Sequence, residues 1–402
     1  MALAAEAVDP TAILLQITIV FAAAKLGGEL AIRLGGVALL GEIAAGAILG
    51  PHASGVIRED PIVVGLAEFG VVVLLFSVGL EMDFGQLRIS GPRGIFVGTV
   101  GIVLPFIAGA GISALSGHTT PQALFLGAAM VATSVGITAR VLSDLGLLAE
   151  TEAVIILAAA VADDVLGLLV LAAVTAASQG GLDPFRLGVL LVETLVFIGI
   201  LLTAGRVAIQ RHGHRVQYLR IPHGALSFAL LVCLASALLA GIIGLAAIVG
   251  AYLAGLLIAE LSDDLELKRD MEPIRALLVP FFFVLTGARF DFRAFFEPTA
   301  LASGAIVTVL AILTKLVGCG LAMWGTSLRS AVRVGVGMVP RGEVGLVVAA
   351  LGLTAGILDG ALYGAVLMMV AVTTLVAPFL LGPAFAFRTA GPLPRSEVAA
   401  RE

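Results

Sequence analysis

The chain has 402 residues, of which 60% are hydrophobic and 13% charged, with mean hydropathy +1.12. A soluble domain carries about 25% charged residues, so the composition excludes that class and predicts an all-α polytopic membrane protein. The net charge of −5 is spread over loops and offers no nucleic-acid surface. Cys233 and Cys319 both lie in apolar runs and give no disulfide framework. The first residues, MALAAEAVDP, carry Glu6 and Asp9 and lack the basic n-region of a cleavable signal peptide.

Taken in order, apolar runs broken by charged or Pro/Gly-rich turns predict thirteen spans, near 11–32, 37–51, 62–80, 94–116, 122–142, 151–178, 185–210, 222–241, 244–260, 273–289, 299–325, 330–356 and 360–387. Abundant glycine, 49 residues, suits close helix packing in lipid. Of the 23 Lys and Arg, sixteen fall in the loops after odd-numbered spans or in the C-terminal tail. Four fall on the other side, and Lys25, Lys315 and Arg341 lie inside spans. The positive-inside rule then sets the N-terminus outside and the C-terminus in the cytoplasm, in a multi-pass plasma-membrane protein.

A repeat joins the halves. Span three ends LLFSVGLEMDF and span ten ends FFFVLTGARFDF, so that Gly79, Asp83 and Phe84 align with Gly287, Asp291 and Phe292 at an offset of 208. The two spans differ by an odd number and cross in opposite directions, as an inverted-topology repeat requires. At the same offset, VATSVGITARVL in span five faces GMVPRGEVGLVV in span twelve. Both are polar, Gly-bearing interruptions of an apolar run, the pattern of two discontinuous helices crossing near the midplane. Thr133 and Ser134 bring hydroxyls and freed backbone oxygens there. Pro340 removes a helix hydrogen bond, and Gly342 and Gly345 let backbones approach. A pair of kinked packing helices is the structural alternative.

Span six, VIILAAAVADDVLGLLV, carries the adjacent carboxylates Asp163 and Asp164, with no other charge between Glu152 and Asp183. A central aspartate costs a membrane helix roughly 2.5–3.5 kcal/mol on insertion scales, so intramembrane acids mark ion and proton pathways. Two neighbours repel and exchange protons readily. A buried pair satisfied by hydroxyls or backbone is the bland alternative. Lys315, well inside span eleven, either snorkels or pairs with this diad. Arg341 and Glu343 pair with each other or neutralise half-helix ends, a structural role that we rank ahead of ion ligation. Glu42, Glu68 and Glu193 lie within spans, and nothing near them in sequence assigns them a role.

ATSVGITARVL, AAAVADDVLGLLVLA, a lysine in span eleven and GMVPRGEVGLVVAALGL together resemble the monovalent cation–proton antiporter superfamily. The likeness is greatest to its electrogenic NapA-type sodium–proton antiporters, with NhaA more distant. It runs through nearly the whole chain, including PQALFLGAAM before the span-five break and VTTLVAPFLLGP in span thirteen. Potassium-type relatives usually lack the first carboxylate.

The resemblance implies a transporter and not an enzyme, without a cofactor, that moves Na⁺ (or Li⁺) against protons and serves pH homeostasis. It implies Asp164 as the ion- and proton-carrying acid, with Thr133 beside it as a Na⁺ ligand. Asp163 would be the partner of Lys315, and Ser134 part of the unwound segment. It further implies a homodimer in the lipid bilayer with an elevator mechanism. Panel helices lie in 1–81 and 222–297, core helices in 82–178 and 298–388, a linker helix in 179–221 and a cytoplasmic tail in 389–402.

Three rival readings are weighed against this one. An intramembrane aspartyl protease needs its carboxylates on separate helices, usually in a GxGD context that is absent here. A sodium-coupled organic-solute symporter needs room and donors where the diad and Lys315 sit. A K⁺–proton exchanger is the competitor within the superfamily.

Overall fold

A computed structural model describes residues 10–82, 84–178, 184–213, 216, 221–262, 266–290 and 298–386. Among these the regular structure is helical, with no strand. The first helices are α1 (Pro10–Arg33), α2 (Ala38–Leu49), α3 (Pro61–Glu81) and α4 (Phe84–Leu115). The short α5 (Thr120–Ala129) and α6 (Val135–Asp144) follow, then α7 (Thr151–Ser178). Next, α8 (Pro184–Ile200) passes through a π-helical turn at Leu201–Gly205 into α9 (Arg206–His212). The second half holds α10 (Gly224–Ile242), α11 (Ala247–Ser262), α12 (Leu267–Ala288) and α13 (Pro298–Ala322). It ends with the short α14 (Leu328–Gly337) and α15 (Glu343–Thr354), then α16 (Gly360–Ala386). Nine helices among the described residues are long and apolar enough to cross a membrane, and the chain is a multi-pass membrane protein.

Local chemistry sets the ends. Asp60 accepts from Ile62 N at 2.9 Å, with Pro61 at the first helical position of α3. Thr119 and Gln122 form a capping box on α5, and Ser327 accepts from Ser330 N at 3.1 Å to start α14. Two starts differ from the hydropathy reading. Helix α4 begins at Phe84 and α12 at Leu267, with Pro92 inside the first and Pro273 and Pro280 inside the second. Hydropathy marks only the part of a helix that crosses hydrocarbon, and these helices continue past it into polar residues. Pro280 has no N–H for the Ala276 carbonyl one turn back. Lys25 supplies the missing donor from α1, Nζ to Ala276 O at 2.8 Å.

Helices α1–α3 pack with α10–α12, and α4–α7 with α13–α16. Glycines set many of these approaches, and they recur in pairs. A Cβ at Gly41 would fall on the Gly27 carbonyl (α2 on α1), and one at Gly250 on the Ser236 carbonyl (α11 on α10); both residues of the pair shift by 209. Gly46 meets the Val284 carbonyl (α2 on α12) while Gly255 meets that of Phe76 (α11 on α3), the same contact with the halves exchanged. Gly98 lies on Ala159 (α4 on α7) and Gly304 on Ala365 (α13 on α16), each shifted by 206. Gly79 and Gly287, the described glycines of the expected repeat, sit against α11 and α2 respectively. Asp83, Asp291 and Phe292 lie outside the described residues.

Candidate functional site

The site grows from helix α7. Its residues Ile156, Asp163 and Gly167 recur at helical spacing and share one face. A Cβ at Gly337, where α14 ends, would meet Ile156, and Val131, just past the end of α5, lies 3.8 Å from the Cβ position of Gly167. The two helix interruptions, at 130–134 and 338–342, therefore reach α7 on either side of Asp163.

They also meet each other. Ser134 N donates to Pro340 O at 2.8 Å, and Thr138 Oγ1 donates to Gly337 O at 2.8 Å. Thr133 Oγ1 donates to Met338 O at a long 3.4 Å. A Cβ at Gly342 would stand 2.7 Å from Ser134 Oγ, so only glycine admits the approach. Ser134 Oγ is buried with no hydrogen-bond partner among the described residues.

Lys315 of α13 donates to Asp163 at 3.0 Å (Oδ1) and 2.9 Å (Oδ2), with both side chains 0% exposed. Asp164, the next residue, is 8% exposed. A buried pair of this kind holds only while both partners remain; removing one leaves an uncompensated charge.

Arg341, also fully buried, lies in the second interruption. Its Nη1 donates to Val131 O at 2.8 Å and Ala132 O at 3.1 Å, and its Nη2 to Ala311 O at 3.1 Å. Val131 and Ala132 follow the C-terminal end of α5, where carbonyls lack helical partners and the helix dipole is negative. Arg341 thus bonds carbonyls at a half-helix end. Ala311 is one turn before Lys315, and Asp163 lies within electrostatic reach of the guanidinium. Thr374 Oγ1 donates to Arg341 O at 2.8 Å, and Arg341 N to Thr373 Oγ1 at 3.2 Å. Glu343 opens α15; its side chain lies outside the described residues.

Sequence reasoning missed three groups. Gly94, Gly98 and Gly101 form a stripe on α4 that lets α7 and α13 close in: a Cβ at Gly94 would be 2.6 Å from Ala158 Cβ, and one at Gly101 2.7 Å from Cys319 Sγ and 3.4 Å from Lys315 Nζ. The spacing was visible in GIFVGTVG. Thr373 and Thr374 were visible as a hydroxyl pair in VTTLVAPFLLGP but had no evident partner. At the start of α7, Glu152 accepts from Ser330 Oγ at 2.7 Å and pairs with Arg333 at 3.3 Å, tying α7 to α14. Of the unassigned acids, Glu42 is buried and faces Arg140, whereas Glu68 and Glu193 are exposed.

The chain matches the family profile described as "Sodium/hydrogen exchanger, transmembrane" over residues 17–387. It is 34% identical to the Na(+)/H(+)-K(+) antiporter GerN of Bacillus cereus, across 91% of this chain and 94% of that one. It is 34% identical to the high-affinity Na(+)/H(+) antiporter NhaS3 of Synechocystis, across 91% and 88%. The K(+) efflux antiporter 1 of Arabidopsis thaliana is 29% identical over 86% of this chain but only 30% of its own length. A solved structure of the sodium proton antiporter MjNhaP1 from Methanocaldococcus jannaschii shares the fold, with TM-score 0.71 at 17% identity, covering 96% of this chain and 100% of that one. By profile and by relatives, this chain belongs to the sodium/hydrogen exchanger family and is a transporter, not an enzyme.

Proposed function

We propose that this protein exchanges cytoplasmic Na⁺ (or Li⁺) for external protons at one shared site. The observation that carries the reading is a buried carboxylate pair next to two interrupted helices, with Lys315 held on Asp163. Asp164, the buried neighbour of Asp163 on α7, binds the cation or a proton. The Thr133 hydroxyl and freed backbone oxygens around Ser134 complete an oxygen site suited to a hard monovalent cation. When Na⁺ reaches Asp164 it displaces its proton; loss of the Lys315–Asp163 bridge releases a second. Two protons against one Na⁺ move one net charge, worth about 2.3 kcal/mol per 100 mV of membrane potential. That makes the exchange electrogenic, as in NapA-type proteins.

In this reading the short helices are the halves of two discontinuous spans, α5–α6 and α14–α15, in a thirteen-span inverted repeat. The recurring glycine contacts support the repeat: the Ser134–Gly342 contact joins positions 208 apart, where a pseudo-two-fold axis would pass. Helices α4–α7 and α13–α16 form a core that moves as an elevator, and α1–α3 with α10–α12 form a panel that carries the homodimer interface. Arg341, with Pro340, Gly342 and Glu343, builds the crossing without touching the cation. The N-terminus lies outside and the C-terminus in the cytoplasm, by the Lys and Arg distribution.

A second reading, K⁺ in place of Na⁺, is favoured by the relatives whose names carry K(+). Cation-induced proton movement in proteoliposomes, with Na⁺, Li⁺ and K⁺ supplied in turn, separates the two. The Na⁺ reading expects responses to Na⁺ and Li⁺; a response to K⁺ alone overturns it, and no response to any cation overturns both.

A further inference from the structure

Glu42 lies in the middle of α2 and is 3% exposed. Its helix packs backbone to backbone: Gly27 and Gly41 touch reciprocally, and Gly46 lies on the Val284 carbonyl, which holds α2 close to α1 and α12. The charge opposite Glu42 has a different mooring. Arg140 stands on α6, with Nη2 3.9 Å from Glu42 Oε1, Nε 3.0 and 2.9 Å from the two oxygens of Asp144, and its guanidinium 5.8 Å from the Phe283 ring centre. Helix α6 meets its neighbours here through side chains: a Cβ at Gly136 would stand 3.3 Å from Val71 and 3.4 Å from Phe282, and Arg275 of α12 donates to Ser143 Oγ at 3.0 Å. These are side-chain contacts, unlike the backbone contacts of α2.

Glu42 Oε2 is buried and has no hydrogen-bond partner among the described residues. The groups that act on Glu42 are Arg140 and Asp144 from α6 and Lys25 from α1. Lys25 is committed elsewhere, to Ala276 O at 2.8 Å and the Phe21 ring at 5.1 Å. From α12, Glu272 acts on Arg140. Arg140 is thus the cation that faces this buried, half-satisfied carboxylate, at 3.9 Å, and it is carried by the other helix group.

We propose that Glu42 is a second proton-binding site, separate from the Asp163–Asp164 centre, occupied when Arg140 moves away from it. This rests on the reading that α6 belongs to a moving core and α2 to a fixed panel. With Arg140 in place Glu42 is a carboxylate. When α6 leaves, an isolated buried charge is costly, and Glu42 takes one proton from cytoplasmic water, which it returns when α6 comes back. Conformation and pH are then linked by one proton. Acid favours the displaced core and alkali the arrangement seen here, by up to tenfold per pH unit over the range in which Glu42 titrates.

The test uses the full chain in liposomes with spin labels at Leu34→Cys and Leu145→Cys, both exposed and next to the ends of α1 and α6. Cys233 and Cys319 are buried and do not label. Asp164→Asn combined with Asp163→Asn and Lys315→Met serves as background, so that none of the three central groups titrates. The label distance distribution is expected to shift with pH in this background, and Glu42→Gln is expected to abolish the shift. Arg140→Gln should abolish it too, because Glu42 is then neutral throughout, while Arg140→Lys should keep it. A pH response that survives Glu42→Gln or Arg140→Gln overturns the proposal. Failure of the antiport reading shows separately, as absent cation-driven proton movement in the parent protein, whereas Glu42→Gln should keep such movement at alkaline pH.

Discussion

The stripe of glycines on α4 makes a prediction about a residue that touches neither ion nor proton. In Gly101→Ala the new methyl carbon would stand 2.7 Å from Cys319 Sγ and 3.4 Å from Lys315 Nζ. Carbon contacts are comfortable at about 3.5–4.0 Å, so α13 or its side chains must retreat by roughly 1 Å. Cys319 is itself buried, with its sulfur 3.8 Å from Val97 O, so the displacement falls on Lys315 as well. Overpacking of this kind costs about 1–3 kcal/mol. A shift of that size would also break one of the two Lys315–Asp163 hydrogen bonds, and a bond to a charged group contributes about 1.5–3 kcal/mol. We expect a lowered thermal unfolding midpoint in purified Gly101→Ala and reduced cation-driven proton flux in proteoliposomes. Adding Cys319→Ala removes the sulfur and should restore both. Parent-like stability and flux in Gly101→Ala, or a double variant no better than the single one, would refute the argument.

Arg341→Met should destabilise the protein, since it strands the Val131, Ala132 and Ala311 carbonyls in the interior at about 1–3 kcal/mol each; thermal unfolding of the purified protein checks this. Lys315→Met alone should cost about 3–5 kcal/mol by leaving Asp163 buried and unpaired, and Asp163→Asn added to it should recover most of that loss. The same double variant, if it transports, should have a rate that ignores an imposed membrane potential; a rate that still follows the potential would count against Lys315 as the second proton carrier.

The parts of the site legible in the sequence were those that break a local rule. Two adjacent aspartates in an apolar span, and Pro, Gly, Ser and Thr interrupting two others, violate what hydrocarbon tolerates and so announce themselves. What joins them was not legible. Arg341 could be placed in an interruption, but its three carbonyl partners come from α5 and α13 and exist only after folding. Lys25 was an unexplained cation in a span until Pro280, far along the chain, turned out to free the carbonyl it bonds. Glu42 had no reading because Arg140 is on another helix. In sequence the repeat rested on one short match, ending at residues outside those described, and on the paired interruptions of spans five and twelve. Its stronger trace is in the glycine contacts, which pair positions 206 to 209 apart with too little sequence identity to reveal them. Helix starts at Phe84 and Leu267 were misjudged because hydropathy reports solvent, not backbone conformation.

The central claim is that Asp164 carries both the cation and the proton. It is tested most directly by Na⁺-driven proton movement in proteoliposomes holding either the parent protein or Asp164→Asn, with equal amounts of folded protein. We expect rapid proton movement on Na⁺ addition in the parent and none above empty liposomes in the variant. Parent-like, Na⁺-dependent proton flux in Asp164→Asn would contradict the account.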